Sequence, residues 1–240
     1  MAKISSSLSH RLGRFVKALV GLLLIPPVMG MGLGLHEGLA ARSVWGRSAA
    51  WWFDWGVVGY SICHVLLYKP KALFAISHRL LARLARWLFG GQVSTVGQEG
   101  PKAAKTSGKS KGNAPAPEGS TLVALSPYVV PLYVVLISLA AWGVAQWRPS
   151  EFLSGMALIS IGVALALHIE MAADDLQQDG GKFPIETYLM ALAIIGLASL
   201  FLTSVCVPPI LPDFSALDVM AQATVHARTI YTNVIQTLFF

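Results

Sequence analysis

Several apolar runs in this chain are long enough to cross a lipid bilayer, and no other feature restricts its fold so severely. Hydrocarbon offers no water to exposed backbone groups, so a crossing segment must close its own hydrogen bonds. A helix does this with roughly 20 mainly apolar residues. Such runs extend from Ala18 to Leu35, Trp51 to Tyr68, Leu122 to Gln146, Phe152 to Ala173 and about Ile185 to Val207. Composition agrees: 55% of the 240 residues are hydrophobic and 12% are charged, against about 25% charged in a soluble domain. The expected fold class is all-α, a polytopic bundle of about five transmembrane spans.

The chain divides by composition into four parts. Residues 1–91 hold a basic N-terminal tail, two spans and a basic amphipathic helix. Residues 92–120 are rich in Gly, Ser and Pro and include Lys102, Lys105, Lys109 and Lys111, with almost nothing to bury, as in a flexible loop. Residues 121–210 form a three-span bundle, and residues 211–240 an amphipathic tail. Pro26-Pro27 is expected to kink the first span, while Gly30, Gly32 and Gly34 offer a surface for close helix approach. The tail spaces Phe214, Leu217, Met220 and Ala221, then Val225, His226, Ile230, Val234 and Leu238, at helical intervals. That pattern suits a helix lying on the membrane or on a partner.

The net charge of +6 does not point to nucleic acid. Lys3, Arg11, Arg14 and Lys17, and the basic residues between 69 and 111, flank apolar runs, the pattern of membrane orientation and anionic-lipid contact. Both basic regions belong on the cytoplasmic side, which two spans between them allow provided residues 72–89 do not cross. With five crossings the C-terminal tail then falls on the opposite face. The N-terminal apolar stretch has the outline of a secretion signal and reads as an uncleaved first span.

Residues 70–89 are apolar yet carry Arg79, Arg83 and Arg86 on one helical face. Three arginines facing mid-bilayer lipid would cost at least about 2.5 kcal/mol each, so this helix is expected at the interface. Cys63 and Cys206 lie in apolar segments without metal-knuckle spacing and read as small core residues.

Certain motifs carry a resemblance. His78-Arg79-Leu80-Leu81-Ala82 leads into Leu88-Phe89-Gly90-Gly91. Next comes Leu125-Ser126-Pro127-Tyr128-Val129-Val130-Pro131-Leu132-Tyr133, and later His168 followed by Asp174, Asp175 and Asp179-Gly180. Over roughly half its length the chain resembles bacterial membrane metallopeptidases related to site-2 proteases, in which the first motif reads H-E-x-x-H. The resemblance implies a zinc site held by helix-borne histidines with a glutamate as proton acceptor. Here Arg79 stands in place of that glutamate and Ala82 in place of the second histidine. A permanent cation beside a vacant ligand position repels Zn²⁺ and cannot act as a base.

The expected protein is thus a catalytically inactive, site-2-protease-like accessory subunit of a larger complex in the bacterial inner membrane. Other membrane subunits and anionic lipids are its expected partners, with no resident cofactor. Glu170, Asp174 and Asp175 are expected to pair with Arg79, Arg83 and Arg86, an ionic clamp in place of a catalytic pocket. The alternative is a divergent metal-dependent intramembrane hydrolase that holds zinc through His78, His168 and Asp179. His64 and His168 also raise the thought of a bis-histidine haem, although such sites usually draw paired histidines from facing spans. His36-Glu37 reads as a boundary-placed polar pair. No phosphate-binding G-x-x-x-x-G-K-[ST] loop and no G-x-S-x-G nucleophile elbow occurs.

Overall fold

The computed structural model describes residues 2–66, 72–73, 75–77, 79–81, 83, 128–179 and 185–239, with side chains from Leu12 onward and without those of Gln178 and Asp179. It is all-α apart from one small hairpin. The helices are α1 (Ala2–Ala40), α2 (Ala49–Leu66), α3 (Leu132–Trp147), α4 (Glu151–Asp179), α5 (Ile185–Cys206) and α6 (Ala216–Phe239). The described residues between 72 and 83 are also helical. Three helical stretches are long and apolar enough to cross a membrane: Leu12–Ala40, Glu151–Gln177 and Ile185–Cys206. The described parts of the other two expected spans are α2, with 18 residues, and α3, with 16, while residues 67–68 and 122–127 lie outside the described residues.

Between α1 and α2 the chain turns through strands β1 (Ser43–Val44) and β2 (Arg47–Ser48), paired antiparallel. Trp45 (φ 48°) and Gly46 (φ 71°) form the turn, and two positive φ angles match the twist that a two-residue hairpin needs. The Trp45 ring stacks on Trp52 and meets Phe152 edge-on, while Trp51 contacts Trp52 and Trp55. This aromatic cluster at one end of the bundle is of the kind that seats at the headgroup level. The opposite end carries Arg14, paired with Glu186 of α5.

Glycines set the helix pairs, because a missing Cβ lets backbones touch. In α2 and α4, Cβ atoms added at Gly56 and Gly162 would fall 2.1 Å from the Ile159 carbonyl oxygen and 2.3 Å from that of Phe53. Trp52 faces Gly155, Gly56 faces Ile159, and Ser61 meets Glu170, so these two helices run parallel. In α1, Gly21 faces Met190 and Val28 faces Gly196, which makes α1 parallel to α5. On another face of α1, Gly38, Gly34 and Gly30 meet Phe214, Val219 and Ala223 in turn, so α6 runs antiparallel to α1.

Segment 211–240 was expected to lie as a helix on the membrane or on a partner, and within the chain α6 packs lengthwise against α1, with Val219, Ala223 and Ala227 buried. The α6 residues that meet the glycine seam of the first span are not those of the apolar stripe read from the sequence, of which Leu217, Val225, Val234 and Leu238 remain exposed.

Proline explains one further contact. α1 continues unbroken past Pro26 and Pro27, yet Pro27 has no N–H for the carbonyl four residues before it, that of Leu23. The Tyr231 hydroxyl of α6 donates to this oxygen. Tyr231→Phe should therefore lower stability by about 1 kcal/mol, read from the midpoint of unfolding by sodium dodecyl sulfate in mixed micelles. An unshifted midpoint would mean that the carbonyl draws no support from α6.

Candidate functional site

The densest polar cluster among the described residues lies where α2 and α4 run on beyond their glycine contact. Parallel helices held this closely bring equivalent turns face to face. Ser61 donates to Glu170 Oε1 at 2.5 Å. One turn on, the His64 ring lies between two carboxylates, with Nδ1 3.5 Å from Glu170 Oε2 and Nε2 3.6 Å from Asp174 Oδ2. These are ion-pair rather than hydrogen-bond distances. The Tyr60 hydroxyl stands 3.2 Å from Nδ1. Glu170 and Asp174 are four residues apart on one helical face, and the imidazole of His64 lies between them.

A second set of contacts ties α4 to the start of α3. The helical pair Tyr128 and Val129 is interrupted at Val130 and Pro131 before α3 begins, and the Leu132 N–H turns to the Val130 carbonyl. The carbonyl of Tyr128 is thereby left to a side chain, and buried His168 donates to it from Nε2 at 2.8 Å. The Tyr128 hydroxyl donates to Asp175 Oδ2 at 2.5 Å. Tyr133, from the same proline-tyrosine motif, donates to the Leu73 carbonyl at 2.7 Å. The motif thus links α3, α4 and the segment around residue 73.

Of the residues expected to form an ionic clamp, Glu170, Asp174 and Asp175 come together on α4. Arg79 and Arg83 are exposed and form no ion pair among the described residues, and Arg86 lies outside them. The described contacts of the carboxylates are with His64, Ser61 and Tyr128. Of the expected zinc ligands, His168 is bound to a backbone carbonyl, while His78 and the Asp179 side chain lie outside the described residues. Among the described residues, no group of three or more His, Cys, Asp or Glu side chains is arranged to hold a metal ion. His64 and His168 have separate partners, the first Glu170 and Asp174 and the second the Tyr128 carbonyl.

His64 as the partner of the acidic face is the element that sequence reasoning missed. The signal was present in the Glu170–Asp174 repeat at helical spacing, which calls for a neighbouring cation, but nothing in the order of residues names α2 as its source. His36–Asp54 at 3.1 Å and His226–Glu37 at 3.0 Å repeat the theme of one histidine and one carboxylate on neighbouring helices.

No family model, curated protein or solved structure matches the chain.

Proposed function

We propose that this chain is a non-catalytic integral membrane protein that serves as a structural or accessory subunit of a larger assembly in a bacterial inner membrane. The observation that carries the reading is the use of its polar side chains. His168, the described member of the expected metal set, spends Nε2 on a carbonyl left free beside Pro131, and Glu170 and Asp174 flank His64. Such groups join helices to one another and leave little with which to activate water. The degenerate His78-Arg79-Leu80-Leu81-Ala82 motif supports the same reading, that of a site-2-protease-like scaffold without its chemistry.

Helix directions favour an arrangement in which α1, α3 and α5 run outward and α2, α4 and α6 inward. In this reading α6 crosses beside α1, which gives six crossings among the described residues and puts Ala2 and Phe239 both on the cytoplasmic side. The basic N-terminal residues and the 69–111 segment then share the cytoplasmic face with anionic lipid headgroups. In this reading the helical residues described between 72 and 83, with Arg79 and Arg83 exposed, lie along that interface.

Gentle extraction tests the role. The chain should leave the membrane in a complex larger than itself, without stoichiometric zinc. A lone monomer in every mild detergent would remove the subunit reading, and bound zinc that is lost on His168→Ala would favour a metal-dependent hydrolase instead.

A further inference from the structure

We infer that the outward face of α6, centred on Arg228, docks a transmembrane helix of a different membrane protein that carries a carboxylate near mid-bilayer. The inference rests on the subunit reading above and adds the place and chemistry of the contact.

Depth is the first step. Gly34 faces Val219 and Ala223, and Gly30 faces Ala223 and Ala227, so Arg228 sits about level with Val28 of α1. Val28 is near the middle of the apolar run Ala18–Leu35, about seven residues or roughly 10 Å from its nearer end at 1.5 Å per residue. An arginine side chain cannot span all of that distance by snorkelling.

Arg228 is exposed and has no ion pair among the described residues. Asp218, also on the outward side of α6, is about ten residues nearer the aromatic end, roughly 15 Å away. A permanent cation at this depth calls for an anion that the described part of the chain does not supply.

Shape is the second step. Helices α5 and α6 both pack on α1 but barely touch each other. They leave an open groove of about 640 Å³ floored by Pro27 and Met31 and walled by Leu197, Phe201, Met220 and Thr224. Arg228 stands one turn beyond Thr224 on the same side of α6. The groove accepts apolar side chains from an added helix, while Arg228 takes its charged one.

Two other occupants fit less well. Copies of this chain inserted in the same direction and related by an axis along the membrane normal present Arg228 at one depth, so contact through this face would set guanidinium against guanidinium. A lipid brings its charge to the headgroup level rather than to the mid-plane.

The test places the full chain in phosphatidylcholine vesicles with a labelled transmembrane peptide of leucine and alanine bearing one central glutamate, or with its glutamine twin. Energy transfer should show the glutamate peptide binding at least about tenfold more tightly, which is about 1.4 kcal/mol. That preference should vanish in Arg228→Leu, whose circular dichroism and melting should match the parent chain. Equal binding of the twins overturns the proposal, as does a preference that survives Arg228→Leu. Self-association through Thr232→Cys crosslinks overturns it in favour of a second copy, and displacement of the peptide by added phosphatidylglycerol in favour of lipid. In host membranes, a native complex unchanged in size on Arg228→Leu overturns this contact alone, whereas a monomer under all conditions removes the subunit reading beneath it.

Discussion

Replacing Gly56 with leucine should push α2 away from α4 and sharply lower the stability of the folded protein. A Cβ there would meet the Ile159 carbonyl oxygen at 2.1 Å, the Ile159 carbonyl carbon at 2.9 Å and the Val163 nitrogen at 3.0 Å. All three are backbone atoms, so no side-chain rotation relieves the clash and one helix must move away. We expect a loss of about 3 kcal/mol or more, and Gly162→Leu should behave alike, since its Cβ would meet the Phe53 oxygen from the other side. Gly59→Ala, in the same helix with nothing within 4 Å of the added atom, should be neutral or gain a few tenths of a kcal/mol from helix propensity, at most about 1. Detergent unfolding midpoints of the three variants settle the matter. If Gly56→Leu and Gly59→Ala melt together, the glycine seam is not what holds this pair.

The second large effect belongs to His64. His64→Leu should cost about 2 kcal/mol, less than the loss for a fully buried ion pair, because Glu170 and Asp174 keep 28% and 21% of their side chains exposed. The cost arises from the loss of the contacts that the imidazole makes with Glu170 and Asp174 across the two helices. Neutralising them in the triple variant His64→Leu/Glu170→Gln/Asp174→Asn should restore most of the loss. Additive losses in the triple variant would show that the three side chains do not act as a unit.

The all-α class and the three longest apolar helices could be read from the sequence because lipid permits few solutions for an uncharged run of that length. Gly30, Gly32 and Gly34 likewise declared a close-approach surface. Two of them do receive a helix, whereas Gly32 faces Leu200 at an ordinary 4.0 Å. Which helix they receive was not legible. The α6 side chains that meet the seam, Val219, Ala223 and Ala227, lie off the apolar stripe read from the sequence, and hydrophobic spacing carries no information on partner choice.

The polar sites failed to declare themselves for a related reason. Glu170 and Asp174 announce a need for positive charge, and the nearest visible cations were Arg79, Arg83 and Arg86. Only the parallel packing of α2 on α4 brings His64 to them. The proline-tyrosine motif was readable as a place where backbone carbonyls become available, and His168 at the Tyr128 oxygen is one such use.

The contact between Tyr231 and Leu23 joins positions 208 residues apart, and this has a consequence for biosynthesis. Helix α1 leaves the ribosome well before α6, so while the residues between them are being made its glycine seam stays open to any passing helix. A stalled or truncated chain would keep Gly30 and Gly34 bare and the Leu23 carbonyl without its hydroxyl. Quality-control proteases and insertion chaperones that sense unsealed transmembrane surfaces would therefore distinguish a chain that has made α6 from one that has not by whether this 24-residue helix has come home.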